Sequence, residues 1–596
     1  MPSTSKPSLS CSPWAISLLL PFTVLLSAPS SNAAESLSTQ QTTAQTTPLI
    51  LAQTIPDDGA SPSLDPLPEA EPLPPLPQPD EILGPEFTPP SPPETTVPEG
   101  DETTVTIQRF DIIGSTIFDE ADFAPITADY LNRPITFRDV VAVRDAINQL
   151  YQDNGYITSG AIIPPQALQN SVAQLQVIEG SVEEIAIEGT DRLNTSYVRS
   201  RLARGSKTPL QIDRLLNRLQ LLQLDPLIEN ISANLQAGTR PGTNLLVISV
   251  NEAEDSLDGS YTFDNNRSPS VGTHRHQLQV SQNNLSGNGD RLMVGYTFTE
   301  GSKDIDLGYT HFINADNGTA SINLSSTDSN VIEDFDILDI SSEATVAEVT
   351  LRQPIHQTPT EEFAVGMIAS RQSTQTKLGI ADIGGFPLSA GANDNGRSTV
   401  SALRFFQEWS KRSPQRVIAL RSQFNVGLGG VFDSTINSGP DPDSRFVSWL
   451  GQGQWIQLLA EDTPLILKGS AQLTPDRLLT LERYGLGGQA TVRGYRQDQL
   501  LTDSGFALSA EVRLPVWRNH DTLLQVTPFI EGGYGWNNQE ADPNDNTLLA
   551  IGTGLRFSTG DLDARLDWGI PLINQPDDRN PLQDNGIYFS LNYSFL

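Results

Sequence analysis

From Asp255 to Leu596 the chain runs in short stretches of alternating apolar and polar residues, and no long amphipathic helix interrupts them. Leu292, Val294, Tyr296 and Phe298 fall on one face of a strand, with Arg291, Gly295 and Thr297 on the other. Ile305, Leu307 and Tyr309 oppose Asp304, Asp306 and Gly308 in the same way. At the C-terminus Ile587, Phe589, Leu591, Tyr593 and Phe595 oppose Tyr588, Ser590, Asn592 and Ser594. A period of two means sheet with one apolar face. If that face meets lipid, every backbone polar group must pair within the sheet, so the sheet has to close. Sixteen candidate strands can be placed, beginning near 256, 272, 290, 303, 318, 343, 362, 398, 416, 444, 463, 505, 523, 546, 561 and 587. One strand plus its connection averages about 21 residues, which suits ~10-residue membrane strands joined by alternately short and long loops. The predicted fold of 255–596 is a transmembrane β-barrel of 16 antiparallel strands. A soluble β-sandwich or propeller is the alternative.

The other end of the chain weighs against that alternative. Residues 1–34 read as a secretory signal peptide: Lys6, then the apolar run Trp14 to Ala28, then small residues up to Ala34. As a transmembrane anchor this run, broken by Pro21, is short of the ~20 apolar residues a helix needs to span. The one cysteine, Cys11, precedes the apolar run and would leave with it, so an exported chain carries no disulfide and no thiolate site. Residues 35–102 are rich in Ser, Thr and Gln, then in Pro, and read as a disordered tether. A net charge of −35 excludes nucleic acid as a partner, since phosphates demand a basic footprint.

Two small α/β modules lie between tether and barrel. In 103–180 a strand from Val105 to Ile112 precedes a helix that starts at Thr136, with Asp139 completing a capping box. Val140, Val143, Ile147 and Leu150 give this helix an apolar face, and Asn154-Gly155 ends it. Tyr156 to Ile163 and Val172 to Val177 follow as strands. The order repeats in 181–254: a strand from Val182, a helix around Tyr197, a helix starting at Thr208-Pro209, then strands 230–236 and 244–250.

Several motifs carry a family resemblance. Tyr151 to Ser159 (YQDNGYITS), Pro164-Pro165-Gln166 and Val177-Ile178-Glu179-Gly180 resemble the first POTRA domain of two-partner secretion transporters, and Leu235 to Thr243 resembles the end of their second. Asn284 to Asp290, Ala419 to Phe424, Gly485 to Gly488 and Val492-Arg493-Gly494-Tyr495 resemble the barrel of the same hemolysin-activator family, which belongs to the superfamily of barrel-assembly proteins. The resemblance implies two periplasmic POTRA domains, at 103–180 and 181–254, that receive an unfolded exoprotein of adhesin or hemolysin type. It implies an outer-membrane barrel that conducts this substrate. It also implies recognition of the aromatic terminal strand by the barrel-assembly machinery, although Leu596 follows Phe595 where the family usually ends on an aromatic.

The candidate site is the stretch from Tyr484 to Tyr495. Four glycines between Gly485 and Gly494 free the backbone to fold tightly, and Arg493 and Tyr495 stand at its tip. Local sequence alone leaves open a solvated hairpin loop. The resemblance implies a loop folded into the lumen, carrying Gly487, Gly488, Val492, Arg493, Gly494 and Tyr495. Its arginine would meet an acid of a Phe-x-Asp-x-Gly motif on the barrel wall. Here that motif reads Phe529, Glu531 and Gly533, with Glu in place of Asp. Parity agrees: Val526 and Ile530 share a face, so Glu531 points inward with Gln525 and Thr527. Glu511 and Arg513 oppose Leu508, Ala510, Val512 and Leu514 and are lumen-lining candidates. The expectation is that the Arg493–Glu531 pair fixes the loop in the conducting arrangement.

No enzyme, metal or cofactor site is predicted. The five histidines are scattered, His274 and His276 reading as a strand face, and no glycine cluster sits between a strand and a helix to cradle phosphate. The function expected is a protein-secretion pore. A barrel-assembly insertase and a passive solute porin or surface adhesin are the rivals; insertases usually carry more POTRA domains, and porins carry none.

Overall fold

A computed structural model describes residues 67, 72, 79–83, 104–166, 171–333, 336–573 and 582–595. The leader, most of the tether and Leu596 lie outside these residues. The first module is built from β1 (Arg109–Ile113), α1 (Glu120–Thr127), α2 (Phe137–Asp153), β2 (Gly160–Ile162) and β3 (Val172–Ile178). Its sheet order is β1-β3-β2, with β1 parallel and β2 antiparallel to the central β3. Thr136 and Asp139 form the expected capping box, and Val140, Val143, Ile147 and Tyr151 bury the inner face of α2. The strand expected from Val105 to Ile112 is divided, because Val105–Thr106 leaves to pair with Pro134–Ile135. Of the strand expected at Tyr156 to Ile163, only β2 forms.

The second module repeats this topology with β4 (Ser181–Glu188), α3 (Thr195–Gly205), α4 (Ile212–Gln223), β5 (Ile228–Ala237) and β6 (Thr243–Glu252), in the order β4-β6-β5. The α4 helix begins at Ile212 and not at Thr208-Pro209. Gln211 caps it, its side-chain oxygen accepting the Arg214 N–H at 2.8 Å. The family-like motif residues join the two modules. Ser159 Oγ accepts the Gly180 N–H, while the carbonyls of Gly155 and Gly180 accept the N–H groups of Ile212 and Leu210. The Gln166 side-chain amide extends the pairing on β3: its Nε2 donates to the Gln174 carbonyl at 2.7 Å and its Oε1 accepts the Gln174 N–H at 2.8 Å.

The tether is not structureless throughout. Pro79–Ile82 makes a helical turn, Ile82 is 1% exposed within the core of the second module, and Leu83 bridges in parallel to Ala233 at the free edge of β5. Ile82 and Leu83 are adjacent aliphatics in a segment otherwise rich in Pro and acid, and together they bring apolar area to the second module. Leu67 lines one small cavity with Lys468, Ser470, Thr491 and Ser509, which puts that point of the segment inside the barrel.

The barrel closes with sixteen antiparallel strands. They are β7 (Leu257–Asp264), β8 (Arg275–Asn283), β9 (Arg291–Phe298), β10 (Ser302–Phe312), β11 (Thr319–Asn330) and β12 (Ile340–Gln357). Next come β13 (Glu361–Leu378), β14 (Arg397–Arg412), β15 (Arg416–Gly427), β16 (Val447–Ala460) and β17 (Thr463–Leu473). The last five are β18 (Ser504–Val512, continued as Leu514–Asn519), β19 (Thr522–Val526, continued as Phe529–Trp536), β20 (Thr547–Thr559), β21 (Leu562–Pro571) and β22 (Ile587–Ser594). Each begins within three residues of its expected start. Ser590 to Ser594 of β22 pair with Asp264 to Ser260 of β7, so no sheet edge is left in lipid. Val294, Tyr296, Ile305, Leu307, Ile322 and Leu324 face outward, while Thr297 and Asp304 are buried inside.

The second module is seated on two short turns of the barrel, those between β8 and β9 and between β10 and β11. Asn194 N–H donates to Gly287 O at 2.8 Å, and Arg204 pairs with Asp316 at 3.0 Å. The Arg201 guanidinium lies 3.5 Å from the Tyr197 ring centre and 4.9 Å from that of Phe312, and its Nε reaches Asn317 Oδ1 at 2.9 Å. A cation shared by two rings and a turn is a stiff joint.

The two faces of the wall differ in what they tolerate. Leu307→Arg, on the lipid face, is expected to lower folding stability in vesicles by about 2–4 kcal/mol, while Asn323→Arg, on the inner face, costs less than about 1. Urea titration of the barrel refolded into lipid vesicles measures both; equal costs would contradict the assigned faces.

Candidate functional site

The loop between β17 and β18 turns inward and forms a finger. Tyr484–Leu486 pairs with Leu500–Thr502 as a two-stranded stem, Tyr484 opposite Thr502 and Leu486 opposite Leu500. At the tip the backbone turns on glycines that a side chain would strain, Gly488 at φ 86° and Gly494 at φ 103°. Gly494 also lies against β21, where a Cβ on Gly569 would fall 2.6 Å from the Arg493 carbonyl carbon. Close backbone approach is what these positions provide.

Apolar packing holds the finger to the wall. Tyr484, Leu486, Val492, Tyr495 and Leu500 form one buried cluster with Ala507 of β18 and Leu548 and Ala550 of β20. Gly533 lies beneath it, where an added Cβ would meet Leu486 at 2.9 Å and Val492 at 3.4 Å. The Tyr495 hydroxyl oxygen lies 2.9 Å from the carbonyl oxygens of both Leu549 and Ile573 and donates its single proton to one of them. Tyr588 of β22 donates its hydroxyl to the Tyr495 carbonyl.

Inside this packing sits Arg493, 2% exposed. Its Nε donates to Glu531 Oε1 at 2.9 Å, Nη2 donates to the same oxygen, and its own backbone N–H donates to Glu531 Oε2 at 2.7 Å. Nη1 donates to Glu511 Oε2 at 2.8 Å and lies 3.4 Å from Asp567 Oδ1. The guanidinium carbon stands 3.4 Å from the centre of the Phe529 ring. One carboxylate of Glu531 therefore holds both the side chain and the backbone of Arg493, a reach that the longer Glu supplies. Ser509 Oγ donates a further bond to Glu531 at 2.9 Å.

The cluster extends beyond the sequence-level residues. Glu511 Oε1 accepts from Arg513 Nε at 3.0 Å, and Glu511 Oε2 accepts from Arg565 Nη2 at 3.0 Å. Arg565 Nε lies 2.6 Å from Asp567 Oδ2. Arg493, Arg513 and Arg565 thus face Glu511, Glu531 and Asp567, three charges of each sign. Glu511 and Arg513 do face the lumen, but they are 6% and 7% exposed, inside the cluster and not along an open path. Arg565, Asp567 and Tyr588 were not singled out from sequence. The signal for the first two was present, since they alternate with Leu566, Trp568 and Ile570 on β21 and so share its inner face.

A buried arginine shared by carboxylates from three wall strands clamps a loop tip, and two motifs define the clamp: Val492-Arg493-Gly494-Tyr495 on the finger, Phe529, Glu531 and Gly533 on the wall. The family model for the haemolysin secretion/activation protein ShlB/FhaC/HecB matches residues 242–557, which cover both motifs, and the model for the ShlB-type POTRA domain matches residues 105–180. The chain belongs to the ShlB/FhaC/HecB family. Family members are outer-membrane transporters of two-partner secretion, and this protein is an outer-membrane β-barrel transporter of that kind, with its POTRA domain in the periplasm. The chain is 21% identical over 474 residues to the outer membrane transporter CdiB of Dickeya dadantii, covering 77% of this chain and 81% of that one. It is 21% identical over 494 residues to the heme/hemopexin transporter protein HuxB of Haemophilus influenzae, covering 78% and 82%. The solved structure of CdiB from Escherichia coli superposes with a TM-score of 0.65 at 20% identity, over 85% of this chain and 93% of that one.

Burial decides how strong the clamp is. An exposed pair would contribute about 1 kcal/mol or less. Removing one partner from a dry pair costs on the order of 3–5 kcal/mol. Arg493→Ala is therefore expected to free the finger, and Arg493→Lys to restore little, since an ammonium lacks the planar fork that reaches several carboxylates at once. Limited trypsin digestion of the inserted barrel, read at the peptide bond after Arg496, measures this. The wild type should resist and both variants should be cut; resistance in Arg493→Ala would contradict the clamp.

Proposed function

We propose that this chain passes one large exported polypeptide, unfolded, from the periplasm through the barrel lumen to the cell surface, and that the Arg493 cluster is the latch on its path. The substrate class is an adhesin-like or hemolysin-like exoprotein. The observation that carries the reading is the dry arginine shared by Glu531, Glu511 and Asp567 within the lumen. Such a cluster is strong while water is excluded and weak once it is wetted. A polypeptide entering the lumen brings water and its own polar backbone, so it loosens the contact it has to pass. The burial of Glu511 and Arg513 supports a latch that holds the loop in the position from which it moves aside for the substrate, so that a finger freed by loss of the latch lies astray in the lumen and obstructs the path.

The α/β modules act upstream. We read the second as a further POTRA domain, because it repeats the strand order and helix pairing of the first. Edge strands such as β1 and β2 can take up an extended peptide as an added strand. Two described points of the tether, Leu67 within the barrel and Ile82 on the second module, support a resting state in which this segment is held at both places. The barrel meets outer-membrane lipid on its outer face, and β22 offers its strand to the barrel-assembly machinery. The residues present suit a conduit, with export driven by folding of the substrate outside.

Deleting the gene should remove one large protein from the culture medium, identified by comparing secreted proteins with and without it. Re-expressing the Arg493→Ala variant should return a surface-inserted barrel with at least roughly tenfold less of that protein in the medium, given a latch of this strength. Full secretion by the variant would remove the latch reading. An unchanged medium after deletion would remove the secretion reading.

A further inference from the structure

The finger is held a second time, at its root and by a different wall. Before the stem, Thr480–Glu482 forms a single 3-10 turn, and the Glu482 side chain points at β14. There Arg404 donates Nη1 to Glu482 Oε2 at 2.9 Å and Nη2 to Glu482 Oε1 at 2.6 Å, a two-pronged pair. The arginine is 3% exposed and the glutamate 2%. Arg404 Nε donates to Ser370 Oγ of β13 at 3.2 Å. The backbone oxygen of Glu482 accepts the Gln472 side-chain amide at 2.8 Å, and that amide also reaches Asp503 O at 3.1 Å. One glutamine thus ties the two ends of the loop to β17. Around the ion pair, Val400 and Ala402 of β14 and Phe446 pack against Leu478, Leu479 and Leu481 of the loop.

A dry ion pair is a poor way to add stability, since apolar residues of the same volume do as well or better. What the pair supplies is geometry: a planar fork on a planar carboxylate fixes distance, direction and register. This contact is separate from the Arg493 cluster in every member. It lies on β13 and β14, while the cluster lies on β18, β19 and β21, so the loop is held from two walls. The two grips also differ in kind. The tip is held by one arginine among shared carboxylates, an arrangement that can exchange partners. The root is a two-pronged pair beside a cluster of six apolar side chains.

We propose that Arg404–Glu482 is a fixed anchor for the root of the loop, and that the Arg493 tip is the moving end of a finger pivoting above it. Arg404 is on this view a positioning residue, acting on transport through the loop. The proposal rests on the latch reading of the tip, and the experiment separates the two.

Cys11 is the sole native thiol, so paired cysteines report without background in a Cys11-free form. One variant carries V400C/L479C at the root cluster, and another V492C/A550C at the tip cluster. The purified full-length barrel is reconstituted in planar bilayers in potassium chloride, and channel opening and closing are recorded before and after oxidation with copper phenanthroline. The root cross-link should leave gating as in the reduced protein; a root cross-link that silences gating overturns the anchor. The tip cross-link should silence gating; unchanged gating there overturns the latch reading and leaves the anchor to be judged on the root alone. In parallel, R404A and E482A should each change the gating rate at least roughly tenfold, and the charge swap R404E/E482R should bring it back to within about threefold. A swap no better than the single variants, with the barrel still migrating as a folded species, overturns the pairing.

Discussion

Everything in this molecule follows from the requirement that a backbone in lipid pair all its polar groups within itself. Sixteen strands closed from β7 to β22 satisfy it, and closure divides the wall into two solvents. One face meets hydrocarbon and carries Leu, Ile, Val and aromatics. The other encloses a space in which a charged loop can be packed away from both lipid and bulk water. A finger carrying an arginine has no place on the outer face; inside, the same arginine becomes a structural element because the wall can surround it with carboxylates.

The cluster at the tip uses that enclosed space in a particular way. Three arginines and three carboxylates are balanced in charge, so removing any one leaves an uncompensated buried charge. On the latch reading the contact is sharp: nearly intact or nearly gone, depending on whether water reaches it. Packing alone would not behave this way, because buried apolar area changes gradually with exposure. The aliphatic and tyrosine contacts of Val492, Tyr495 and Leu548 hold the finger close enough for the charges to meet. On the anchor proposal, the ion pair at the root confines the motion to one end.

Much of this was legible in the sequence, for a physical reason. A two-solvent wall enforces a strict period of two, so strand starts and inner faces could be read directly, and Glu531, Glu511 and Arg513 were assigned inward from parity alone. The Arg493 partner came from the motif. Arg565 and Asp567 were readable by the same alternation along β21 and were passed over because no motif marks them. Arg404 and Glu482 were beyond reach: they are 78 residues apart, one on a strand and one in a loop, and no period links them. The docking of Ile82 was hidden too, since two aliphatics in a Pro-rich run look like nothing until a free sheet edge is placed beside them. The late start of α4 shows a local contest that Gln211 won over Thr208, by capping the helix directly.

The central claim is that the finger rests inside the barrel and not at the cell surface. It is tested most directly by thiol labelling on intact cells with a membrane-impermeant maleimide, comparing V492C with F432C on the exposed loop after β15, where Phe432 is 75% exposed. The account predicts rapid labelling at 432 and almost none at 492 in the resting protein. Equal labelling at the two positions would mean that the finger lies outside, and would contradict it.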